Sequence, residues 1–483
     1  MNLAVVQRIL GLMLGMFSLT MLPPIGVSLA YGDGYWMPFA TAFVIIVVAA
    51  MLLWLPVRDV RRDLRLRDGF LVVALFWICL GIAGATPLLL TDLPQLSFTD
   101  AVFEAVSGFT TTGATVIVGL ESLPKSILYY RQQIQWFGGM GIIVLAVALL
   151  PVLGVGGMSL YKAETPGPVK DEKITPRIMQ TAKALWLVYF SLTVTCSAAY
   201  YAAGMDVFDA VCHAFSTLST GGFSTHDASL GHFQSPAIDL IALCFMVAGG
   251  TSFALHFVAF RRRSPGIYPR DPEFRGYISI LAALTVIVTL YLYASGTYAS
   301  LADALRYGAF QAVSLQTSTG YVTTDFTLWP GALPALLMLS TFIGGCAGST
   351  GGGIKVIRWL LIFKQAGAEL RRLVHPSAAL PVKIAGRPVQ PSVINAVAGF
   401  FAIYLLMFGG MMLLLMTTGL DQVTAWSAIA TSLNNLGPAL GTVSGHFRDI
   451  PEAAKWVCVV AMIAGRLEIF TLVLLLTPTF WRR

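Results

Sequence analysis

The sequence predicts an all-α integral membrane fold. Three observations carry that reading: a composition too apolar for a water-covered surface, apolar runs of spanning length, and a glycine-bearing segment that recurs four times between them. Apolar residues make up 56% of the 483 and charged residues 11%, against roughly 45–50% and 25% in a soluble domain. Too few charges remain to coat a soluble fold of this size. Runs of about 20 apolar residues, each enough to cross about 30 Å of hydrocarbon, take their place.

Ten spans are predicted, near residues 3–30, 36–56, 69–91, 127–153, 177–204, 235–260, 276–296, 331–363, 391–419 and 453–480. The first reads as a retained helix: Ser28-Leu29-Ala30 resembles a cleavage site, but only Arg8 precedes it and the apolar stretch from Ile9 to Leu29 is too long for a signal core. Four segments, near 98–110, 206–219, 301–317 and 421–434, are too short and too polar to cross. They are predicted to dip in and return to the same side.

Basic residues fall in alternate loops: Arg58, Arg61, Arg62, Arg65 and Arg67; Lys162, Lys170, Lys173, Arg177 and Lys183; Arg261, Arg262, Arg263, Arg270 and Arg275; Arg358, Lys364, Arg371, Arg372, Lys383 and Arg387; Arg482 and Arg483. By the positive-inside rule that face, with both termini, is cytoplasmic. The opposite face is assigned fourteen carboxylates, among them Asp100, Glu104, Asp206, Asp209, Asp227, Asp303, Asp325 and Asp421, against five bases, Lys125, Arg131, Arg306, Arg448 and Lys455. Such a face concentrates cations.

The four short segments end in Ser107-Gly-Phe-Thr-Thr-Thr-Gly113, Ser216-Thr-Leu-Ser-Thr-Gly-Gly222, Ser314-Leu-Gln-Thr-Ser-Thr-Gly320 and Thr431-Ser-Leu-Asn-Asn-Leu-Gly437. A hydroxyl residue stands six positions before the glycine each time, and the glycines lie 109, 98 and 117 residues apart. Such recurrence implies one unit used four times: span, pore helix, filter strand, span, behind an N-terminal pair. The predicted units are 1–60 (the pair), 61–160, 161–265, 266–365 and 366–483. Non-helical backbone at membrane depth is tolerated only in packed protein or beside water. Four such strands about one axis can turn carbonyls inward to replace an ion's hydration shell, and the half-helices would aim their partly negative ends at the centre. That arrangement suits a monovalent cation.

Cys79, Cys196, Cys212, Cys244, Cys346 and Cys458 stand singly in apolar stretches, so no zinc or redox motif is indicated. The six histidines form neither an HxxxH nor an HExxH pattern, and no enzyme is expected. His213, His226 and His232 fall together on the outer side and read as vestibule residues with satisfied hydrogen bonds.

At Thr110-Thr-Thr-Gly-Ala-Thr115, Ser219-Thr-Gly-Gly-Phe-Ser-Thr-His-Asp227, Thr319-Gly-Tyr321, Asn434-Asn-Leu-Gly-Pro438, Gln135-Trp-Phe-Gly-Gly-Met-Gly141, the run from Gly344 to Gly353, and Gly465-Arg-Leu-Glu-Ile-Phe-Thr471, the chain resembles the Trk/Ktr/HKT superfamily of potassium transporters, and within it the bacterial Trk-type uptake subunit. The resemblance implies potassium as the transported ion, with no organic cofactor. It implies coordination by Thr111, Thr112 and Gly113; Thr220, Gly221 and Gly222; Ser318, Thr319 and Gly320; and Asn435, Leu436 and Gly437. Serine at the first of these glycines would favour sodium, so Gly113 points to potassium. An aromatic follows the glycine only in the second and third segments (Phe223, Tyr321), which makes the filter asymmetric.

The same resemblance assigns an intramembrane gate to the interrupted eighth span, with Gly344, Gly345, Gly348, Ser349, Thr350, Gly351, Gly352, Gly353 and Lys355. Glycines this dense break a helix, at about 1 kcal/mol each relative to alanine. A Walker A loop is excluded, because Ile354 separates Gly353 from Lys355. Arg466 lies mid-span with Glu468 two residues on, where the two cannot face each other on a helix. The resemblance places Arg466 in the pore as an electrostatic barrier. It further implies a homodimer in the bacterial inner membrane, regulated by a cytosolic nucleotide-binding subunit on the basic face. A symporter coupled to protons or sodium is the alternative function. Arg466, Glu468 and Lys355 leave room for it, since midplane ionisable groups mark such transporters.

Overall fold

The computed structural model describes residues 2–60, 66–148, 174–378 and 380–482. Arg61, Arg62, Arg65, Lys162, Lys170, Lys173 and Arg483 of the predicted basic clusters lie outside the described residues. So do the predicted unit boundary at 160/161 and the end of the fourth span.

Helices dominate. An N-terminal pair, Leu3–Tyr31 and Trp36–Trp54, precedes long helices Leu66–Leu89, Lys125–Ala148, Ile174–Ala202, Pro272–Ala294 and Pro391–Thr417. Among the described residues six helices are long and apolar enough to cross a membrane, or up to eight if each bent pair counts as one. Leu52 (69% exposed), Leu406 (76%) and Phe260 (79%) face outward, while threonines, serines and asparagines of the glycine segments are buried. That inversion suits a hydrocarbon solvent.

Four half-length helices sit between the long ones: Phe98–Phe109, Val207–Ser219, Leu301–Gln316 and Gln422–Asn434. Each starts at a side-chain N-cap, Ser97, Asp206, Ser300 or Asp421, which accepts from backbone N–H groups of the first turn. This satisfies donors that a helix start leaves unpaired. All four fall within a residue of the predicted short segments.

Two of the predicted spans are bent. The sixth divides into Pro236–Gly249 and Phe253–Arg262 at 97°, the tenth into Glu452–Arg466 and Phe470–Leu476 at 113°. Backbone at Glu468 and Ile469 enters the left-handed region (φ 54° and 56°), which ends the helix there. The eighth is broken where its glycines predicted, between Leu333–Ser340 and Val356–Val374. The stretch 364–390 contains the end of that last helix and a two-stranded antiparallel ribbon, Lys383–Ile384 with Arg387–Pro388.

The glycine ring and the loop beside it

Each half-helix ends in the same way. The N–H groups of Thr112, Gly221, Thr319 and Leu436 reach back five residues to the carbonyls of Ser107, Ser216, Ser314 and Thr431, at 2.8, 2.9, 2.9 and 3.0 Å. Thr111, Thr220, Ser318 and Asn435 each donate three residues back. Together these bonds make a Schellman closure, whose left-handed position is usually glycine. Here Thr111, Thr220, Ser318 and Asn435 occupy it, with φ of 53°, 50°, 56° and 53°. A side chain there costs roughly 1–2 kcal/mol, and the same cost recurs in all four segments. The hydroxyl residue at the sixth position before each glycine thus supplies the carbonyl that closes the helix.

Two residues on, Gly113, Gly222, Gly320 and Gly437 also have positive φ, 81°, 79°, 83° and 99°. Backbone that alternates hand in this way turns successive carbonyls to one side. The glycines are also needed for space. A β-carbon at Gly113 would stand 2.1 Å from the Gly221 carbonyl oxygen, at Gly222 2.1 Å from that of Thr319, at Gly320 2.0 Å from that of Leu436, and at Gly437 2.8 Å from that of Thr112. Segment one touches two, two touches three, three touches four, and four touches one. The ring closes.

Side chains brace it unequally. Asn435 Nδ2 bridges from the fourth segment to Thr112 Oγ1 at 3.0 Å and to the Met462 carbonyl at 3.0 Å. Hydroxyl pairs Thr110–Thr112 (2.8 Å) and Thr317–Thr319 (2.7 Å) recur in segments one and three. Gln135 holds the second segment: its Nε2 donates to the Gly221 carbonyl at 2.6 Å, and its Oε1 accepts from Ser216 and the Phe223 N–H. Tyr321 donates from its hydroxyl to the His213 carbonyl. Sequence reasoning missed Gln135 as a brace, although it stands in one of the motifs singled out.

Glycine doublets set the packing behind the ring. Gly138, Gly249, Gly351 and Gly465 press on the ends of the four half-helices in order, each with a β-carbon position 1.9–3.2 Å from the carbonyl of Phe109, Leu218, Thr317 or Leu433. The next residue, Gly139, Gly250 or Gly352, presses on the following segment at Ser219, Thr317 or Asn434. In the fourth instance that residue is Arg466.

The loop 344–353 lies against the upstream side of the ring. Gly352 N–H donates to Ser318 Oγ at 2.5 Å, and Thr350 Oγ1 donates to the carbonyls of Leu218 (2.9 Å) and Gly249 (3.0 Å). Cys346 N–H donates to the Gly250 carbonyl at 2.8 Å, and Phe253 N–H to that of Gly348. Gly344 and Gly353 have left-handed backbone and pack on each other's flanks. Gly345 and Ser349 lie together inside the loop, and Lys355 donates to the Gly351 carbonyl. Glu273 caps both flanks, accepting from Ala347 N–H (2.7 Å) and Ile357 N–H (3.2 Å). Arg466 Nη1 donates to the Thr350 carbonyl at 3.0 Å, while its Nε and Nη2 are buried without a hydrogen-bond partner among the described residues. Glu468, beyond the end of the helix that carries Arg466, pairs with Arg358.

Downstream of the glycines opens a cavity of about 570 Å³, lined by all four of them and by charged groups including Asp227 and Asp325. Glu104, predicted as one of the acidic vestibule groups, is not exposed. It is fully buried and paired with Arg131 at 2.7 Å, and it also holds Thr115 and the Val116 N–H. Arg131 reaches on to the Ser224 carbonyl and stacks on Phe223. Lys455 and Arg306 likewise pair with Asp100 and Asp239.

Residues 36–482 match the family model described as TrkH, cation transport protein. The chain is 56% identical over 483 residues to "Trk system potassium uptake protein TrkH" of Halomonas elongata, covering all of both chains. It is 50% identical over 482 residues to the protein of that name from Escherichia coli K12, again at full coverage. The crystal structure of "the Potassium Transporter TrkH from Vibrio parahaemolyticus" superposes with a TM-score of 0.93 at 52% identity, covering 100% of each chain. With a ring, loop and helix order carried on matches of this extent, the chain is an all-helical, multi-span membrane protein of the TrkH cation transport family, a transporter and not an enzyme.

Proposed function

We propose that the protein takes up potassium ions across the bacterial inner membrane through one central pathway. Its filter is the ring of backbone carbonyls at Thr111, Thr112 and Gly113; Thr220, Gly221 and Gly222; Ser318, Thr319 and Gly320; and Asn435, Leu436 and Gly437. The observation that carries this reading is the closed cycle of close approaches among Gly113, Gly222, Gly320 and Gly437. Four lipid-buried segments that meet in a cycle have their unpaired carbonyls around a shared axis, where an ion can replace the missing hydrogen bonds. The Gly221 carbonyl already accepts from Gln135, so it is the weaker ligand of its level and makes the filter uneven.

The architecture follows as four units of span, pore helix, filter strand and span, 61–160, 161–265, 266–365 and 366–483, in pseudo-fourfold order after the pair 1–60. The loop 344–353 is the gate, hung beneath the filter by Thr350 and Gly352 and braced within by Lys355, with Arg466 as the pore charge beside it. Both termini are cytoplasmic, following the basic loops. Two copies associate through outward apolar faces, and a cytosolic nucleotide-binding subunit docks on the basic face. Uptake is driven by membrane potential, worth about 2.3 kcal/mol per charge per 100 mV.

The test is isotopic rubidium uptake into vesicles, competed with sodium, for the parent and Gly113→Ser. The parent is expected to ignore sodium and external pH, and the variant to admit sodium. A parent whose uptake needs sodium or a proton gradient would instead establish a symporter.

A further inference from the structure

On the rim of the vestibule, outside the filter and gate, lies a cluster with no role in either. Glu121, His226 and His232 each offer one ligand atom, all within 4.8 Å of one another. The half-buried member is His226. Its Nε2 stands 3.1 Å from Asp209 Oδ2. An ionised carboxylate can only accept, so Nε2 carries the hydrogen and donates. Asp209 is itself fixed by the Thr225 hydroxyl at 2.7 Å. That arrangement sets the ring orientation and leaves Nδ1 buried, with no hydrogen-bond partner among the described residues. Nδ1 faces Glu121 Oε1 at 3.7 Å.

Burial opposes a charged ring, but Asp209 and Glu121 outweigh it and raise the His226 pKa, so this spot favours a positive charge, which a proton or a metal ion can supply. Zinc with bonds of about 2.0–2.2 Å to nitrogen and oxygen in tetrahedral geometry sets its ligands about 3.4 Å apart, within a few tenths of the observed gap. A carboxylate behind a ligating histidine is the support that metal-bound imidazoles ordinarily have, and Asp209 supplies it. His232, exposed on the turn Ser229–Phe233, stacks flat on His226 at 3.6 Å between centroids. One of its ring nitrogens lies within 4.8 Å of the ligand atoms of His226 and Glu121, so a second imidazole stands beside the same point. Glu121 is kept close because its Oε1 also accepts from the Asp227 N–H, while Asp227 accepts from Gly119 and Leu120. The loops after the first and second glycine segments are thereby tied together at this spot.

We propose that Glu121, His226 and His232 form a binding site for a divalent transition-metal ion of the zinc class, positioned by Asp209, and that its occupancy slows cation entry. His226 and Asp227 both line the vestibule, so a bound dication adds positive charge where cations gather before the ring. Binding rests on the loop geometry alone; the effect on entry rests on the proposed route through the vestibule.

The experiment uses the purified full-length protein with zinc by titration calorimetry, cobalt by visible absorption, and rubidium uptake in proteoliposomes with zinc outside. The parent is expected to bind one zinc per chain and to show cobalt ligand-field bands. External zinc should reduce its uptake several-fold. His232→Ala and Glu121→Gln, both at exposed side chains, should weaken zinc at least tenfold and relieve the inhibition while metal-free uptake persists; His226→Ala should abolish the cobalt bands. Zinc affinity unchanged in all three variants, or no zinc bound by the parent because a proton alone fills the gap, would overturn the site. Binding at these residues with no loss of uptake would overturn its control of entry.

Discussion

Arg466 Nη1 donates to the Thr350 carbonyl at 3.0 Å, which ties the bend of the last span to the loop under the ring. Arg466 also occupies the place that Gly139, Gly250 and Gly352 hold behind the other segments, so a charged side chain stands where the remaining three instances have open backbone. A hydrogen bond from a charged donor contributes about 1.5–3 kcal/mol. Arg466→Ala is therefore expected to release the loop and raise rubidium flux in proteoliposomes, by up to roughly tenfold to a hundredfold. Flux equal to the parent at equal reconstitution would remove Arg466 from the gate.

Gly352→Ala tests the loop from its other contact. A β-carbon there would stand 1.9 Å from the Asn434 carbonyl oxygen, a backbone atom that cannot swing aside as a side chain would. The loop has to leave its seat, and basal flux in the absence of any soluble subunit should rise several-fold. A folded variant with flux at or below the parent's would mean that this seat is not the closed state.

The Glu104–Arg131 pair makes a stability prediction. Both side chains are buried, and together they join the first and second glycine segments through Thr115 and Ser224. Removing one partner leaves an uncompensated charge, a loss of about 3–5 kcal/mol. Glu104→Gln should lower the thermal unfolding temperature in detergent markedly, and adding Arg131→Met should recover part of it. A double variant worse than the single by the full cost of each residue would show that the two act independently.

Arg371 and Arg372 are exposed at the end of Val356–Val374. The Arg372–Glu369 pair is a surface ion pair, of the kind that contributes little to stability. Replacing both arginines with alanine should leave the fold intact and weaken co-purification of the proposed nucleotide-binding subunit. Undiminished capture would move the docking surface elsewhere.

What was legible in the sequence was local. The four short segments were read to within a residue of the observed half-helices, and the recurring hydroxyl residue and glycine marked their ends; both signals act over a few turns of chain. The break at 344–353 was legible for the same reason, since glycine density has a direct helix cost. The bends at 249–253 and 466–470 were not: Gly138 and Gly139 pack behind their segment inside the unbroken helix Lys125–Ala148, so a glycine at that place does not by itself signal a bend. Glu104 reads as an exposed acid until Arg131, 27 residues on, is seen to bury it. Gln135 stood in a quoted motif, but its hold on Gly221, 86 residues away, is a fact of assembly. The residues at Thr111, Thr220, Ser318 and Asn435 gave no sign of left-handed backbone, because such strain is imposed by the surrounding ring.

Anomalous diffraction from crystals grown in rubidium addresses the central claim most directly. A row of peaks on the axis enclosed by Gly113, Gly222, Gly320 and Gly437, each within coordination distance of carbonyls from several segments, is the predicted result. An empty axis at high rubidium, or peaks only in the outer cavity or against a single segment, would contradict it.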